Sequence, residues 1–510
     1  MQQLKVSMKL NKKTLITPLN IVIFLILALA LFVRVYRIGS LLGFYFDQGR
    51  DALVIWDFWK EGKFFLIGPT TGIEGVFRGP WYYWFIAPFY LLGKGNPEAA
   101  SIWLSLTSVF GVFLSYKIAT KLAGVWAGII AIIIGSFSLN LVYASRWLSN
   151  PTPMLLISMI FVYSFFLVLE GKAWAWILAT FMAGMAMQFG SAAEVFYFLG
   201  IAAFAIYLYF KDRKKLPNLK IVSFSAIALG ITVAPQVLFD LRHQGILRGT
   251  ISKFLFSEGS FKLSFWETVK IRLPLYYDVF FSKLFHSAQS VKDVFALLLS
   301  LVTFLKFKTI LKNKQFVLIL LLLISPMLGL LFFQGNYGNI YDYYFTGYYL
   351  IFVVFFASVM GLVSKSFWGK AIILIFLALF LKDNLPAIRN YIISGVDGPK
   401  TIAYGNEKQA IDWIYNDAKG RDFNTDVYVP PVIPYAYEYL FKWYGGQVHG
   451  KEPIKEQILL LYTLYEVDPP HPERLEVWLK RQATIGKVEE EQSFGGIVVQ
   501  RRKRYEIKTQ

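Results

Sequence analysis

The stretch GFYFDQGRDALVIWDFWKEGKFFLIGPTTGIEGVFRGPWYYW, residues 43–84, decides how the rest of the chain is read. It follows an apolar run directly, yet it carries acids, bases and a dense set of rings. Asp47-Gln48-Gly49-Arg50-Asp51 sets two carboxylates four residues apart, on one face of any helix that begins there. Further on, Arg78-Gly79-Pro80-Trp81-Tyr82-Tyr83-Trp84 opens an aromatic amphipathic segment suited to a membrane surface, where rings sit at headgroup depth. The stretch is a candidate reaction site, held in place by the apolar segments around it.

Those segments dominate the composition. Of 510 residues, 56% are hydrophobic and only 17% charged, and the mean hydropathy is +0.49. A soluble chain of that length exposes far more charge, so the pattern is that of a multi-spanning membrane protein. The 47 Phe, 30 Tyr and 14 Trp fit helices with aromatic belts. A net charge of +19 suggests nucleic acid at first sight. The basic clusters lie between apolar runs, however, which points to membrane lipids as partners and not to nucleic acid. There is no Cys, which rules out disulfides, thiol catalysis and thiolate metal sites.

An uncharged run at 15–33 is long enough to cross the hydrocarbon. Lys5, Lys9, Lys12 and Lys13 precede it, which places the N-terminus in the cytoplasm and the 37–98 loop outside. The run lacks a small-residue cleavage site and reads as an uncleaved anchor. Further spans are predicted at 99–120, 123–143, 152–170, 173–191, 194–210, 220–240, 291–311, 315–334, 343–364 and 367–386, for about eleven in all. Loops on the inner side then hold Lys117, Lys121, Lys172, the run KDRKKLPNLK (211–220), Lys306, Lys308, Lys312, Lys314, Lys365 and Lys370. The short outer loops 144–151, 188–194 and 334–342 carry a single basic residue, Arg146. That asymmetry supports the topology.

Two outer segments are long. Residues 241–290 form a second outer loop that mixes charge with aromatics and reads as surface-lying helices, one interrupted by Pro274. After about residue 390 the composition becomes that of a soluble domain. KQAIDWIYNDAKG (408–420) reads as an amphipathic helix ended by Gly420, DVYVPPV as a strand, YAYEYLFKWYGG as an aromatic helix, and IGKVEEEQSFGGIVVQRRKR as a strand hairpin. The expected architecture is an all-α polytopic body over 1–390 with a small extracytoplasmic α/β domain over 391–510.

Polar residues at span ends carry the candidate chemistry. Asp47 is placed to take a proton from an acceptor hydroxyl, or else to cap the helix that follows it. Asp51 is a second acid, a metal ligand or a partner for Arg50. Without His or further acids nearby, the pair is a weak signal for a divalent cation, and no other cofactor is expected. Arg78, Arg146 and the pair Arg242-His243 stand where a departing phosphate needs positive charge, or snorkel to the interface. Trp81, Tyr82, Tyr83, Asn150 and Tyr343 are candidates for a sugar and lipid groove, with an aromatic belt as the plain alternative. Glu194 reads as turn chemistry. The four histidines show no HExxH spacing, and there is no Walker A loop.

In order and spacing these features resemble the GT-C superfamily of integral-membrane glycosyltransferases. The resemblance is to the prokaryotic branch related to protein O-mannosyltransferases and to aminoarabinose and Rgt-type lipopolysaccharide sugar transferases. It is carried by Asp47-Gln48-Gly49-Arg50-Asp51 after the first span and by Gly79-Pro80-Trp81-Tyr82-Tyr83, and it extends to about residue 390. It implies a polyprenyl-phosphate-linked sugar donor, an extracytoplasmic acceptor hydroxyl, inversion at the anomeric carbon, Asp47 as base and arginines on the phosphate. Many relatives have Asp-Glu where this chain has Asp47-Gln48, and His where it has Arg78. Those departures put Asp51 forward as a second acid and leave the acceptor class open. A flippase of lipid-linked glycans is the non-enzymatic alternative, and it would show polar residues deep in several spans.

Overall fold

A computed structural model describes residues 17–71, 75–256, 264–333, 338–394, 396, 398–430 and 433–507. The basic residues Lys5, Lys9, Lys12 and Lys13, and loop positions 257–263 and 334–337, lie outside the described residues.

Helices occupy all the predicted spans. The first, Pro18–Val35, is started by Thr17, whose side chain accepts from the Asn20 amide, and by Pro18, where no amide hydrogen is needed. Pro18–Leu41, Pro97–Ala123, Ala193–Lys211, Leu219–Arg242, Asp342–Gly361 and Phe367–Ile393 are long and apolar enough to cross a bilayer unaided. Val125–Phe137 and Leu139–Arg146 make a further span, bent by 58°. Met154–Leu169, Ala175–Phe189 and Lys314–Leu330 are shorter apolar helices. At 1.5 Å per residue they reach roughly 22–26 Å, against a hydrocarbon core of about 30 Å. Gln289–Leu305 is weaker still, with Lys292 and Asp293 near its start. The chain is a mainly helical, multi-pass membrane protein.

At its centre stands the helix Thr346–Gly361, buried along its whole length. It packs against Pro97–Ala123, Val125–Phe137 and Met154–Leu169. A helix apolar all round belongs in such a position.

The bend in the broken span has a definite cause. Val125–Phe137 ends at Ser138, whose hydroxyl accepts from the Leu141 amide and starts the next helix. The carbonyls of Gly135 and Ser136 receive the buried Arg34 guanidinium, at 2.7 and 3.0 Å. The Leu139 amide donates to Asn384 Oδ1 at 2.9 Å. In return, Arg146 Nη1 donates to the carbonyls of Val33, Arg34 and Tyr36 at 3.1, 2.9 and 3.0 Å, at the end of the first span. Two arginines thus close each other's helix ends, where backbone carbonyls have no intrahelical partner.

In the segment 241–290, Phe265–Phe281 opens with a Ser264–Glu267 capping box. It runs straight through Pro274, which does not interrupt it as the sequence suggested. Pro274 and Lys270, whose carbonyl the proline leaves unpaired, are both exposed, so no orphaned acceptor is sealed in the core.

The C-terminal part holds a four-stranded sheet in the order β1-β2-β4-β3, made of β1 (Asn424–Tyr428), β2 (Leu460–Glu466), β3 (Gly486–Phe494) and β4 (Ile497–Arg504). β1 and β2 are parallel, while β2–β4 and the β3–β4 hairpin are antiparallel. Helices Tyr404–Ala418 and Pro472–Ile485 flank it. Lys419 and Gly420 end the former in the left-handed region, at φ 50° and 78°. The helical segment between β1 and β2, beginning at Tyr435–Leu440, docks this domain on the helix Phe46–Glu61. Phe46 meets Tyr435 with ring centroids 4.9 Å apart, and Lys442 pairs with Asp57 at 3.1 Å. Gly49 lies flat against the Tyr435–Ala436 backbone, and any Cβ there would collide with the Ala436 nitrogen.

Candidate active site

The helix Phe46–Glu61 sets the site. Its N-cap is Tyr45, whose amide donates to Gln48 Oε1 at 3.1 Å, while Gln48 Nε2 donates to the Leu148 carbonyl at 3.1 Å. Asp47 is therefore not the cap. It stands in the first turn with its side chain 58% exposed, paired to Arg50 Nη1 at 2.8 Å. Negative charge is favoured at that end of a helix.

Arg50 joins the two carboxylates. Its Nε and Nη2 donate to Asp51 Oδ1 at 3.0 and 2.8 Å, and its Nη1 also donates to Thr70 Oγ1 at 3.2 Å. Asp51 is buried and accepts the Tyr83 hydroxyl at 2.8 Å. Burial pushes its carboxyl up to about 6, against the opposing pull of Arg50 and Tyr83. Of the three readings of Asp51, the geometry shows the partner for Arg50.

Arg78 comes from a small hairpin. Gly68 donates to the Arg78 carbonyl at 2.8 Å, Arg78 to the Pro69 carbonyl at 3.1 Å, and Thr70 bridges Phe77. One hairpin thus carries both Arg78 and the Thr70 hydroxyl that steadies Arg50. The Arg78 guanidinium is half-buried and donates through Nη1 to the Gly190 carbonyl, while its Nε has no protein partner. Burial lowers its pKa, and the charges that oppose this lie at Glu194, Tyr343 and Tyr344. The next residue donates its amide to Gln188 Oε1 at 2.7 Å, and a Cβ at Gly79 would strike that oxygen. That close approach is the physical content of the Gly-Pro step.

Several expected groove and phosphate residues do other work. Tyr82 and Tyr83 face inward on the helix Trp81–Leu92 and are buried. Trp81 Nε1 is tied to the Thr232 carbonyl at 2.7 Å, and Asn150 Nδ2 to the Phe189 carbonyl at 2.8 Å. Arg146 is the helix-closing residue described above and stacks over the Tyr391 ring at 5.2 Å. Its Nη1 is held by three backbone carbonyls and its Nε by the Tyr391 hydroxyl at 3.2 Å, while its buried Nη2 has no protein partner and the residue stands in the cavity wall. Arg242 and His243 are exposed at the end of Leu219–Arg242, and His243 stacks on Phe239 at 4.0 Å. Neither lines the cavity that holds Tyr45 and Tyr343 in its wall.

That cavity, of about 830 Å³, opens between the membrane body and the C-terminal domain. Tyr343 stands in its wall, as does Tyr45, two residues before Asp47. Trp147 meets Tyr343 edge-on at 5.5 Å. Asp342 projects into the cavity, its carboxylate gripped by the buried Lys283 at 2.9 Å and by the Tyr349 hydroxyl at 3.0 Å. Lys283 lies over the Tyr349 ring at 4.1 Å.

Among the described residues, no three metal-ligating side chains gather. Asp47 and Asp51 both turn to Arg50, so the pair offers no cation cradle.

Arg50 is the residue whose weight the sequence understated. Its signal was there in the three-residue spacing from Asp47. Lys283 and Asp342 had no comparable signal, because they meet only through the fold.

A polytopic helical body carrying a small C-terminal sheet domain gives this chain the GT-C fold of ArnT. Residues 78–239 match the family described as dolichyl-phosphate-mannose-protein mannosyltransferase. The crystal structure of ArnT from Cupriavidus metallidurans in the apo state is similar with a TM-score of 0.61 at 10% identity, over 95% of this chain and 98% of that one. ArnT from Cupriavidus metallidurans bound to undecaprenyl phosphate gives a TM-score of 0.59 at 11% identity, with the same coverage. No curated protein sequence matches the chain.

Proposed function

We propose that the protein transfers a single sugar from a polyprenyl-phosphate-linked donor to a hydroxyl group outside the cytoplasm. One observation carries the reading: an exposed Asp47 carboxylate is ion-paired with Arg50, two residues beyond Tyr45 in the wall of the cavity. The binding of undecaprenyl phosphate by ArnT, a protein of the same fold, supports the choice of donor. The distribution of Lys and Arg supports an N-terminus in the cytoplasm and a C-terminal domain, from about residue 391, outside the plasma membrane.

In the proposed step the acceptor hydroxyl attacks the anomeric carbon in line with the leaving phosphate. Its proton passes to a carboxylate oxygen of Asp47. The bond from carbon to phosphate oxygen breaks with its electron pair, and Arg50 and Arg78 stabilise the negative charge that develops there. The new bond forms on the opposite face, so the configuration inverts. Asp51 and Tyr83 hold Arg50 in position.

The test is Asp47→Asn in full-length protein, assayed by release of free polyprenyl phosphate from a polyprenyl-phosphate hexose. The side chain is exposed, so folding should be unaffected, and the rate should fall by about 10²–10⁴. Activity retained within a few-fold would remove Asp47 from the mechanism. A wild-type protein that moves the lipid without releasing the phosphate would remove the transferase reading altogether.

A further inference from the structure

Two glutamine side chains clasp the backbone on either side of Arg78. Gln188 Oε1 accepts the Gly79 amide at 2.7 Å. Gln188 Nε2 donates to Gln236 Oε1 at 2.8 Å, and Gln236 Nε2 donates to the Phe77 carbonyl at 2.9 Å. The two amides thus form a relay from the residue after Arg78 to the residue before it. The backbone fixes its direction, because the Gly79 N–H needs an oxygen and the Phe77 carbonyl needs a donor. Neither amide can be turned over without breaking the relay.

Two neighbouring helices bring these side chains together. Gln188 lies in Ala175–Phe189 and Gln236 in Leu219–Arg242. Four residues earlier on each helix, Gly184 abuts Thr232, and a Cβ on Gly184 would strike the threonine hydroxyl. That close approach lets side chains on the same faces meet one turn further on. The longer helix also reaches the hairpin through Phe239, which meets Phe77 edge-on at 6.4 Å. The shorter one reaches Arg78 a second time, just past its end, through the Gly190 carbonyl that accepts the guanidinium. Glu194 holds that turn, accepting the Ser191 amide at 2.6 Å and the Gly347 amide at 2.8 Å. Backbone and guanidinium are therefore fixed by separate contacts from one helix end.

The hairpin does not need the glutamines to form. It is closed by its own bonds, from Gly68 to Arg78, Arg78 to Pro69 and Thr71 to Val76. What the relay adds is placement against the helices. Gln188 is buried and Gln236 half-buried in otherwise apolar helices, where a side-chain amide is costly unless paired. The hairpin also carries Thr70, whose hydroxyl accepts Arg50 Nη1 at 3.2 Å, so its position is felt by both arginines of the site. Resting on the transferase reading, we infer that Gln188 and Gln236 are positioning residues, which hold Arg78 where charge develops on the leaving phosphate. They act through Arg78.

Gln188→Met and Gln236→Met keep the side-chain length and remove the relay. Full-length protein in nanodiscs is assayed for release of polyprenyl phosphate from a polyprenyl-phosphate hexose, with kcat and KM for the lipid separated. Each variant should lower kcat by about 10²-fold, the penalty of a misplacement on the order of 1 Å, and by no more than Arg78→Ala does. KM should stay unchanged, as for an interaction realised only in the transition state. In an Arg78→Ala background the same substitutions should have no further effect on kcat, because the group they act through is gone. Gln236→Asn, which keeps the amide but shortens its reach, should show the same pattern and serves if the Met variant does not fold. Hydrogen exchange read by mass spectrometry needs no donor: the peptide 77–83 should exchange faster in both Met variants, with the flanking helices still protected. An unchanged kcat, losses that add to that of Arg78→Ala, or an Arg78→Ala protein with full activity overturns the inference. Unaltered exchange at 77–83 in a wild-type background that is active removes the relay alone. A wild type that releases no polyprenyl phosphate removes the transferase reading, and the positioning role with it.

Discussion

Replacing Arg50 by Ala tests the site at its hinge, because one guanidinium serves two carboxylates. The change removes both bonds to Asp51, the ion pair to Asp47 and the contact with Thr70. Asp51 is then a buried carboxylate held by Tyr83 alone. Deleting one partner of a buried ion pair costs about 3–5 kcal/mol. Here the loss is capped, because Asp51 already titrates near 6 and, once orphaned, takes up a proton at neutral pH. The destabilisation should therefore fall at the lower end of that range at pH 7.5. It should shrink at pH 5, where the wild-type carboxyl is already protonated. The sign follows from linkage. A carboxyl raised above its unfolded value of about 3.9 contributes stability that is present below that value and lost as the pH rises through 6. Adding Asp51→Asn removes the orphaned charge and keeps an acceptor for Tyr83, so the double variant should recover most of the stability. Activity should not follow. With the charge on the leaving phosphate gone, both variants should stay about 10²–10³ below wild type. Thermal unfolding in nanodiscs, read beside release of polyprenyl phosphate, separates the two effects. A double variant that regains stability and activity together would show Arg50 to be purely structural, and the phosphate role would be lost.

Other perturbations probe the supports of the site. Tyr83→Phe removes a hydrogen bond to a charged group and should cost about 1.5–3 kcal/mol of stability in thermal unfolding. Arg146→Ala frees three carbonyls at the end of the first span and should lower the folded yield in size-exclusion profiles, at a cost of at least about 3 kcal/mol. Glu407 is fully buried and neither carboxyl oxygen has a protein partner. Burial raises it well above its ordinary value, and pushes nearby Glu466 up to about 7. Both therefore favour the folded state when protonated, and stability should fall as the pH rises through 7. Glu407→Met should raise the melting temperature at pH 8 and have a smaller effect at pH 5, a trend that differential scanning fluorimetry would detect or refute.

The spans were legible because they rest on long uncharged runs, which no tertiary contact overrides. Pro274 misled because its position on an exposed helix face decides its effect, and sequence does not show the face. The strand β2 was missed for a different reason. LLYTLYE is followed by the turn signal Asp468-Pro469-Pro470, but a short apolar run alone does not separate a strand from a buried helix, and it is ordered by β1 and β4 on either side. At the site, Asp47 and Arg50 could be read from helical spacing, whereas the arginines could not be sorted by type alone. Arg146 and Arg242 both sit at span ends, yet the first binds carbonyls of the first span from the cavity wall and the second is exposed. Which acceptor an arginine meets depends on segments far apart in the chain, and so does the pairing of Lys283 with Asp342.

The seat of Gly49 on the Tyr435–Ala436 backbone has an evolutionary price. With no side chain between them, the helix bearing Asp47 and Arg50 borrows its tilt from a module at the far end of the polypeptide. Neither half can be exchanged like a cassette. A graft of a foreign C-terminal domain inherits the need for a bare backbone at that spot, and a drift from Gly49 to Ala would tip the reactive helix before it altered any group that touches substrate.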